Sequence, residues 1–219
     1  MKIIRFTLIT LLALFSVSAH SAIINWTDWE SSGNNNTTAT GTLMVDGTEV
    51  DVMFSATSAF GFMQTGTGTN YWSGTAYTDG NVDNAPTPSE LIALNAGGTV
   101  TLTFSSAIEN IYFALNSWNG NVVEFDTEIS IDSSGAGYWG SGSAIVNSDN
   151  TGFTGSGEFH GIILAEGEFT SISFTHTSEN WHGFTLGVEG LADEVDVPAP
   201  ATALLMGLLL LTAGRLRKH

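Results

Sequence analysis

The chain contains no cysteine, and its 219 residues include only five lysines and arginines. Each shortage removes a class of explanation. Without cysteine there is no disulfide to secure the fold outside the cytoplasm and no thiolate nucleophile. Stability must come from packing and sheet hydrogen bonds, with bound cations as the one auxiliary. The basic residues Lys2, Arg5, Arg215, Arg217 and Lys218 all lie in the outer tails, and the 22 Asp and Glu lie between them. The middle of the chain is thus a polyanion with no fixed cation. Duplex binding draws its affinity from neutralised phosphates, so nucleic acid is excluded as a partner. Strongly acidic polysaccharides are excluded too, unless a divalent cation bridges the two anions. Also missing are a Gly-x-Ser-x-Gly elbow, a His-Glu-x-x-His helix and a P-loop. No amphipathic segment of helical period exceeds two turns.

The tails read as addresses. Lys2 and Arg5 precede an apolar run through Phe15 and small residues from Ser16 to Ala22, the layout of a cleavable secretory signal over residues 1–22, with cleavage after Ala19 or Ala22 by a signal peptidase. An acidic linker at 193–196 leads into Val197-Pro198-Ala199-Pro200, an apolar run from Ala201 to Ala213, and Arg215-Leu216-Arg217-Lys218. A helix over that run spans roughly 20 Å against a hydrocarbon core of about 30 Å, enough to insert but a weak anchor. The basic ends belong in the cytoplasm and the acidic middle outside.

The order Pro-x-Pro, apolar stretch, basic tail resembles the sorting signal of the PEP-CTERM proteins of Gram-negative bacteria, with Pro198-Ala199-Pro200 standing where the commonest form has Pro-Glu-Pro. The resemblance covers residues 197–219, including a transmembrane segment at 201–214. It implies transient insertion in the inner membrane, recognition by an exosortase, and traffic to the cell surface or an exopolysaccharide matrix. Asn84-Ala85-Pro86 through Ile108 to Leu115, with Gly137-Tyr138-Trp139-Gly140 and Trp181-His182-Gly183-Phe184-Thr185, also resembles a module that recurs in these proteins. That module has no settled function, so it brings no catalytic residues.

Residues 23–192 are enough for one domain with one core, and their pattern is β throughout. Thr99 to Ser105 alternates between apolar and hydroxyl residues, the mark of a strand with one buried face. Thr42–Val45 and Thr48–Phe54 flank Asp46-Gly47, a hairpin dipeptide. Val122 to Asp132 alternates, with Val123, Phe125, Ile129 and Ile131 on one face and Glu124, Asp126, Glu128 and Asp132 on the other. Further strands are expected at Ile108–Leu115, Gly161–Leu164, Phe169–His176 and Phe184–Val188, and a short helix at Ser89–Leu94 after Pro88. Short strands at this spacing point to an all-β, antiparallel two-sheet sandwich of jelly-roll type.

Aromatic residues supply the main functional hint. Several of Trp26, Trp29, Tyr71, Trp72, Trp118, Tyr138, Trp139 and Trp181 sit beside Gly, Ser or Asn, and Asn70-Tyr71-Trp72-Ser73-Gly74 partly repeats in Gly137-Tyr138-Trp139-Gly140-Ser141. Aromatic faces stack on the C–H faces of sugar rings while neighbouring amides and carboxylates bind hydroxyls. The expected ligand is a neutral glycan or exopolysaccharide, with Tyr71, Trp72, Tyr138, Trp139 and Trp181 as its contacts; the alternative is that the rings simply close the ends of the fold. Asp79, Asp83 and Asn84 form the best oxygen cluster for Ca²⁺. Glu124, Asp126 and Glu128 project about 7 Å apart, where repulsion in water is only ~0.6 kcal/mol, so they need no ligand. An enzyme is not expected. The alternative functions are a glycan hydrolase built on residues such as Glu166 and Glu168 or the histidines His160, His176 and His182, and a calcium-dependent adhesin.

Overall fold

The computed structural model describes residues 22–192. The signal segment, the acidic linker, Pro198, Ala199, Pro200 and the basic tail with Arg215, Arg217 and Lys218 lie outside them. Among the described residues no helix is long and apolar enough to cross a membrane.

The chain is all-β. Its strands are β1 (Asn25–Trp26), β2 (Asp28–Gly33), β3 (Thr38–Val45), β4 (Thr48–Ala56), β5 (Phe62–Thr65), β6 (Glu90–Leu94), β7 (Gly98–Asn116), β8 (Val122–Phe125), β9 (Ser130–Ser134), β10 (Gly142–Val146), β11 (Gly152–Gly157), β12 (Gly161–His176) and β13 (His182–Leu191). Every pairing between them is antiparallel, and together they form one hydrogen-bonded network. The expected hairpin is present: Asp46 and Gly47 both have positive φ, 50° and 79°, as the right-handed twist of the flanking strands requires.

Two long strands organise the network. The first half of β7 pairs with β4 and its second half with β13. β12 runs beside β7 along both halves, with breaks in register between Ala165 and Glu168 and between Phe169 and Ser171. Segments expected as four separate strands are therefore two bulged ones. Conversely, the alternation from Val122 to Asp132 is divided between β8 and β9, although Val123, Phe125 and Ile129 do face the core as expected. The halves fold over a common core in which Phe54 of β4 meets Phe184 of β13 at 6.2 Å between centroids, although those two strands share no ladder.

The second half of β7 and the first half of β12, with β6 and β13, bury both faces. Ile92, Leu94, Phe113, Leu115, Ile163 and Phe184 face the main core. Leu91, Ala93, Tyr112, Ala114, Ile162 and Leu164 face outward into a second cluster roofed by Trp72, Ala76, Tyr77 and Val82 from the segment between β5 and β6. This explains the one misplaced element: Ser89–Leu94 is no helix but leads into β6. A short run buried on both sides loses the period of two that marks a half-buried strand.

Candidate functional site

The two Tyr-Trp segments lie against each other. Gly74 has φ 109°, and a Cβ there would lie 2.2 Å from the carbonyl oxygen of Ala136; a Cβ on Gly137 would lie 2.4 Å from Cγ of the His160 ring. Glycine at both positions lets the loops close. Tyr71 and Tyr138 then meet edge to face at 5.0 Å, Tyr138 meets Trp139 at 4.9 Å, and Trp181 joins from the loop before β13, 5.1 Å from Tyr71 and 6.2 Å from Trp139. Phe62 of β5 stacks on Trp181 at 6.3 Å. The result is a continuous platform of five rings, with Trp139 53% and Tyr138 44% exposed.

Trp72 does not belong to it. Only 3% of it is exposed, its indole N–H donates to the carbonyl of Glu90 at 3.1 Å, and it packs edge-on against Tyr77. The repeated Tyr-Trp pair therefore divides its work: Trp72 roofs the second cluster, whereas Trp139 faces solvent. Trp29 and Trp118 are buried core residues with indole N–H groups donating to Thr185 Oγ1 and the Gly183 carbonyl, and partly buried Trp26 donates to the Asn84 carbonyl.

Trp139 and Trp181 also line a cleft of about 270 Å³ completed by Ser117, Asn119, Glu158, Glu179 and Asn180. Ser117, just past the end of β7, adopts a left-handed φ of 60°. That turn directs its N–H to His160 Nδ1 at 3.3 Å and its hydroxyl to the carboxylate of Glu158. Asn119 connects the two carboxylates: its backbone N–H donates to Glu179 at 3.2 Å and its side-chain amide to Glu158 at 3.4 Å. Behind them, buried His182 holds Nδ1 3.7 Å from Glu179 and Nε2 3.0 Å from His176 Nδ1, with Trp118 packed on its ring at 4.5 Å.

Burial dominates the electrostatics. It pushes His182 down to about 3, helped by His176, and lowers His176 and His160 as well. Glu179 is raised, first by burial and then by the charge of Glu158. At neutral pH the three histidines are therefore uncharged, and no Lys or Arg occurs among residues 22–192. The cleft joins two carboxylates and two amides to the faces of two tryptophans, without a fixed positive charge.

Of the residues proposed for Ca²⁺, Asn84 has its side-chain amide engaged. Asn84 accepts from the Ile24 N–H at 2.7 Å and donates to the Ile24 carbonyl at 2.8 Å, tying down the start of the domain. The Asp83 N–H donates to Ala22 and that of Asp79 to Thr75. Among the described residues no group of three or more His, Asp or Glu converges on a common point. Glu166 and Glu168 sit at the β12 bulge, where Gly167 has φ 128° and its N–H donates to Asn110. Glu166 lines a second cleft, of about 470 Å³, with Glu128, Ser130 and Asn150 over Ile129, Ile131, Val146 and Leu164; it contains no aromatic ring.

Glu158, Glu179, Ser117, Asn119, Asn180 and Phe62 escaped sequence reasoning. The available signal was local: Ser117-Trp118-Asn119 and Glu179-Asn180-Trp181 each place polar groups beside a tryptophan. Compared with known proteins, the chain matches no family model, no curated protein and no solved structure.

Proposed function

We propose that this is an exported cell-surface or matrix protein that binds glycans without transforming them, through the platform of Tyr71, Tyr138, Trp139 and Trp181 and the adjoining cleft. One observation carries the reading: three loops distant in sequence converge to expose aromatic faces beside Glu158, Glu179, Asn119 and Asn180. Apolar faces next to hydrogen-bonding groups suit a sugar ring, which carries both kinds of surface. The fold is read as a jelly-roll-like sandwich of two sheets, supported by the Phe54–Phe184 contact between strands that share no ladder. Export, and sorting by an exosortase at Pro198-Ala199-Pro200, rest on the order of the tail segments. The intact mass of the protein recovered from a host with that protease tests the sorting: a chain still ending at His219 would refute it. A glycan array probed with the full-length protein tests the binding.

Hydrolysis is the second reading. Glu158 and Glu179 both hydrogen-bond to Asn119, and burial raises Glu179 in the direction a general acid requires. Release of reducing sugar from a polysaccharide panel, lost in Glu179→Gln, would favour it over simple binding.

A further inference from the structure

The cleft beside the platform has a property that neutral sugars leave unused. Glu158 and Glu179 are both partly buried, and their hydrogen-bond donors are neutral: the Ser117 hydroxyl and the amides of Asn119. A carboxylate withdrawn from water is normally paired with a cation. None is available here, because residues 22–192 have no Lys or Arg. His182 cannot serve. It is fully buried, its Nδ1 has no hydrogen-bond partner although it faces Glu179 at 3.7 Å, and burial keeps its ring neutral down to about pH 3. Trp139 and Trp181 line the same cleft, and tryptophan rings attract ammonium groups through the ring quadrupole. Two uncompensated carboxylates and two indole faces converge on a space smaller than the ~300 Å³ at which drug-sized pockets begin.

We infer that the cleft is a subsite for a protonated amine on a sugar ring, so that the preferred ligand is a glycan of amino sugars with free rather than acetylated amino groups. This rests on the glycan reading above and adds the substrate class. The platform takes the C–H face of the ring, and Glu158 and Glu179 take the ammonium group, with cation–π contact from Trp139 or Trp181. Acetylation removes the charge and adds bulk where the carboxylates converge. An amine suits this wall, because two of the five residues that line the cleft with Glu158 and Glu179 are tryptophans, whose rings attract cations but supply no oxygen ligand for a metal.

Isothermal titration of the full-length protein with glucosamine hexamers, their N-acetylated counterparts and cello-hexaose separates the claims. The amine subsite predicts that the free-amine oligomer binds about ten-fold tighter than the other two, that the preference shrinks with added NaCl, and that Glu158→Gln with Glu179→Gln abolishes the difference between the free-amine oligomer and the other two. Because the whole domain is anionic, Asp51→Asn with Glu109→Gln serves as a control that removes the same charge at exposed sites outside the cleft. An equal loss in that control would reduce the preference to general attraction of polycations and overturn the subsite. Equal binding of all three oligomers overturns the amine subsite and leaves the glycan reading standing. Binding of none overturns both.

Discussion

Tyr71 and Tyr138, 67 positions apart in the chain, meet edge to face with ring centroids 5.0 Å apart and an interplanar angle of 73°. That contact joins the two similar Tyr-Trp loops into one surface. It depends on the loops' glycines, since a side chain at Gly74 would strike the Ala136 backbone and one at Gly137 the His160 ring. The platform is thus fixed by backbone packing beneath it, and its exposed rings contribute little to the fold.

This arrangement predicts opposite outcomes for two tryptophans in similar sequence contexts. Trp72→Ala should cost about 3–5 kcal/mol, because it empties a buried site and leaves the Glu90 carbonyl without its donor. Trp139→Ala should stay within about 0.5 kcal/mol of the parent protein. Urea unfolding of the two variants checks this, and equal losses would place Trp139 in the core.

Gly137→Ala should destabilise by about 1–3 kcal/mol, since its Cβ would sit 2.4 Å from the His160 ring, which is fully buried and cannot swing aside. Gly190→Ala, with nothing within 4 Å of the added methyl, is the matched control. Thermal unfolding of both variants gives the comparison.

Two buried groups make stability depend on pH in opposite directions. Glu90, only 2% exposed and accepting the Trp29 N–H, is pushed up from 4.5 to about 7, mainly by burial. The unfolded chain releases that proton more readily, so the contribution of Glu90 is fully present below pH 4.5 and lost as pH rises through about 7. Glu90→Gln should therefore behave like the parent in acid and become the more stable of the two above pH 7. His182 acts on the other side: lowered from 6.5 to about 3 by burial and by His176, it favours the folded state above pH 6.5, and that contribution fades as pH falls toward 3. Urea midpoints measured across pH at about 0.5 M NaCl, where self-repulsion is screened, should show both limbs.

With no Lys or Arg among residues 22–192, self-repulsion opposes the compact state at neutral pH. The melting temperature should rise as NaCl is added and the Debye length falls from about 30 Å toward a few ångström. Ca²⁺ at matched ionic strength should do no better if Asn84 is held by Ile24 as found. A clear excess from Ca²⁺ would reveal a specific oxygen site.

Much of this was legible in the residues. The Asp46-Gly47 hairpin and the alternation around Thr99–Ser105 follow from local chemistry, and so they appear in the sequence. What stayed hidden depends on contacts made at a distance. Ser89–Leu94 lost its strand signature because Trp72 and Tyr77 cover its outer face, and β12 read as two strands because the bulge at Glu166–Glu168 interrupts its pattern. Gathering Tyr71, Tyr138, Trp139 and Trp181 as candidates needed only composition. Separating Trp72 from them needed the fold, and finding Glu158 and Glu179 needed knowledge of which loops meet.

The central claim is that the exposed rings bind glycan, and the most direct measurement is the affinity of Trp139→Ala and Tyr138→Ala, the two most exposed rings of the platform, for whichever glycan the full-length protein selects on an array. The account predicts that each loses roughly 1–3 kcal/mol of binding while its circular dichroism and melting temperature stay near those of the parent. Unchanged affinity in both variants would contradict it.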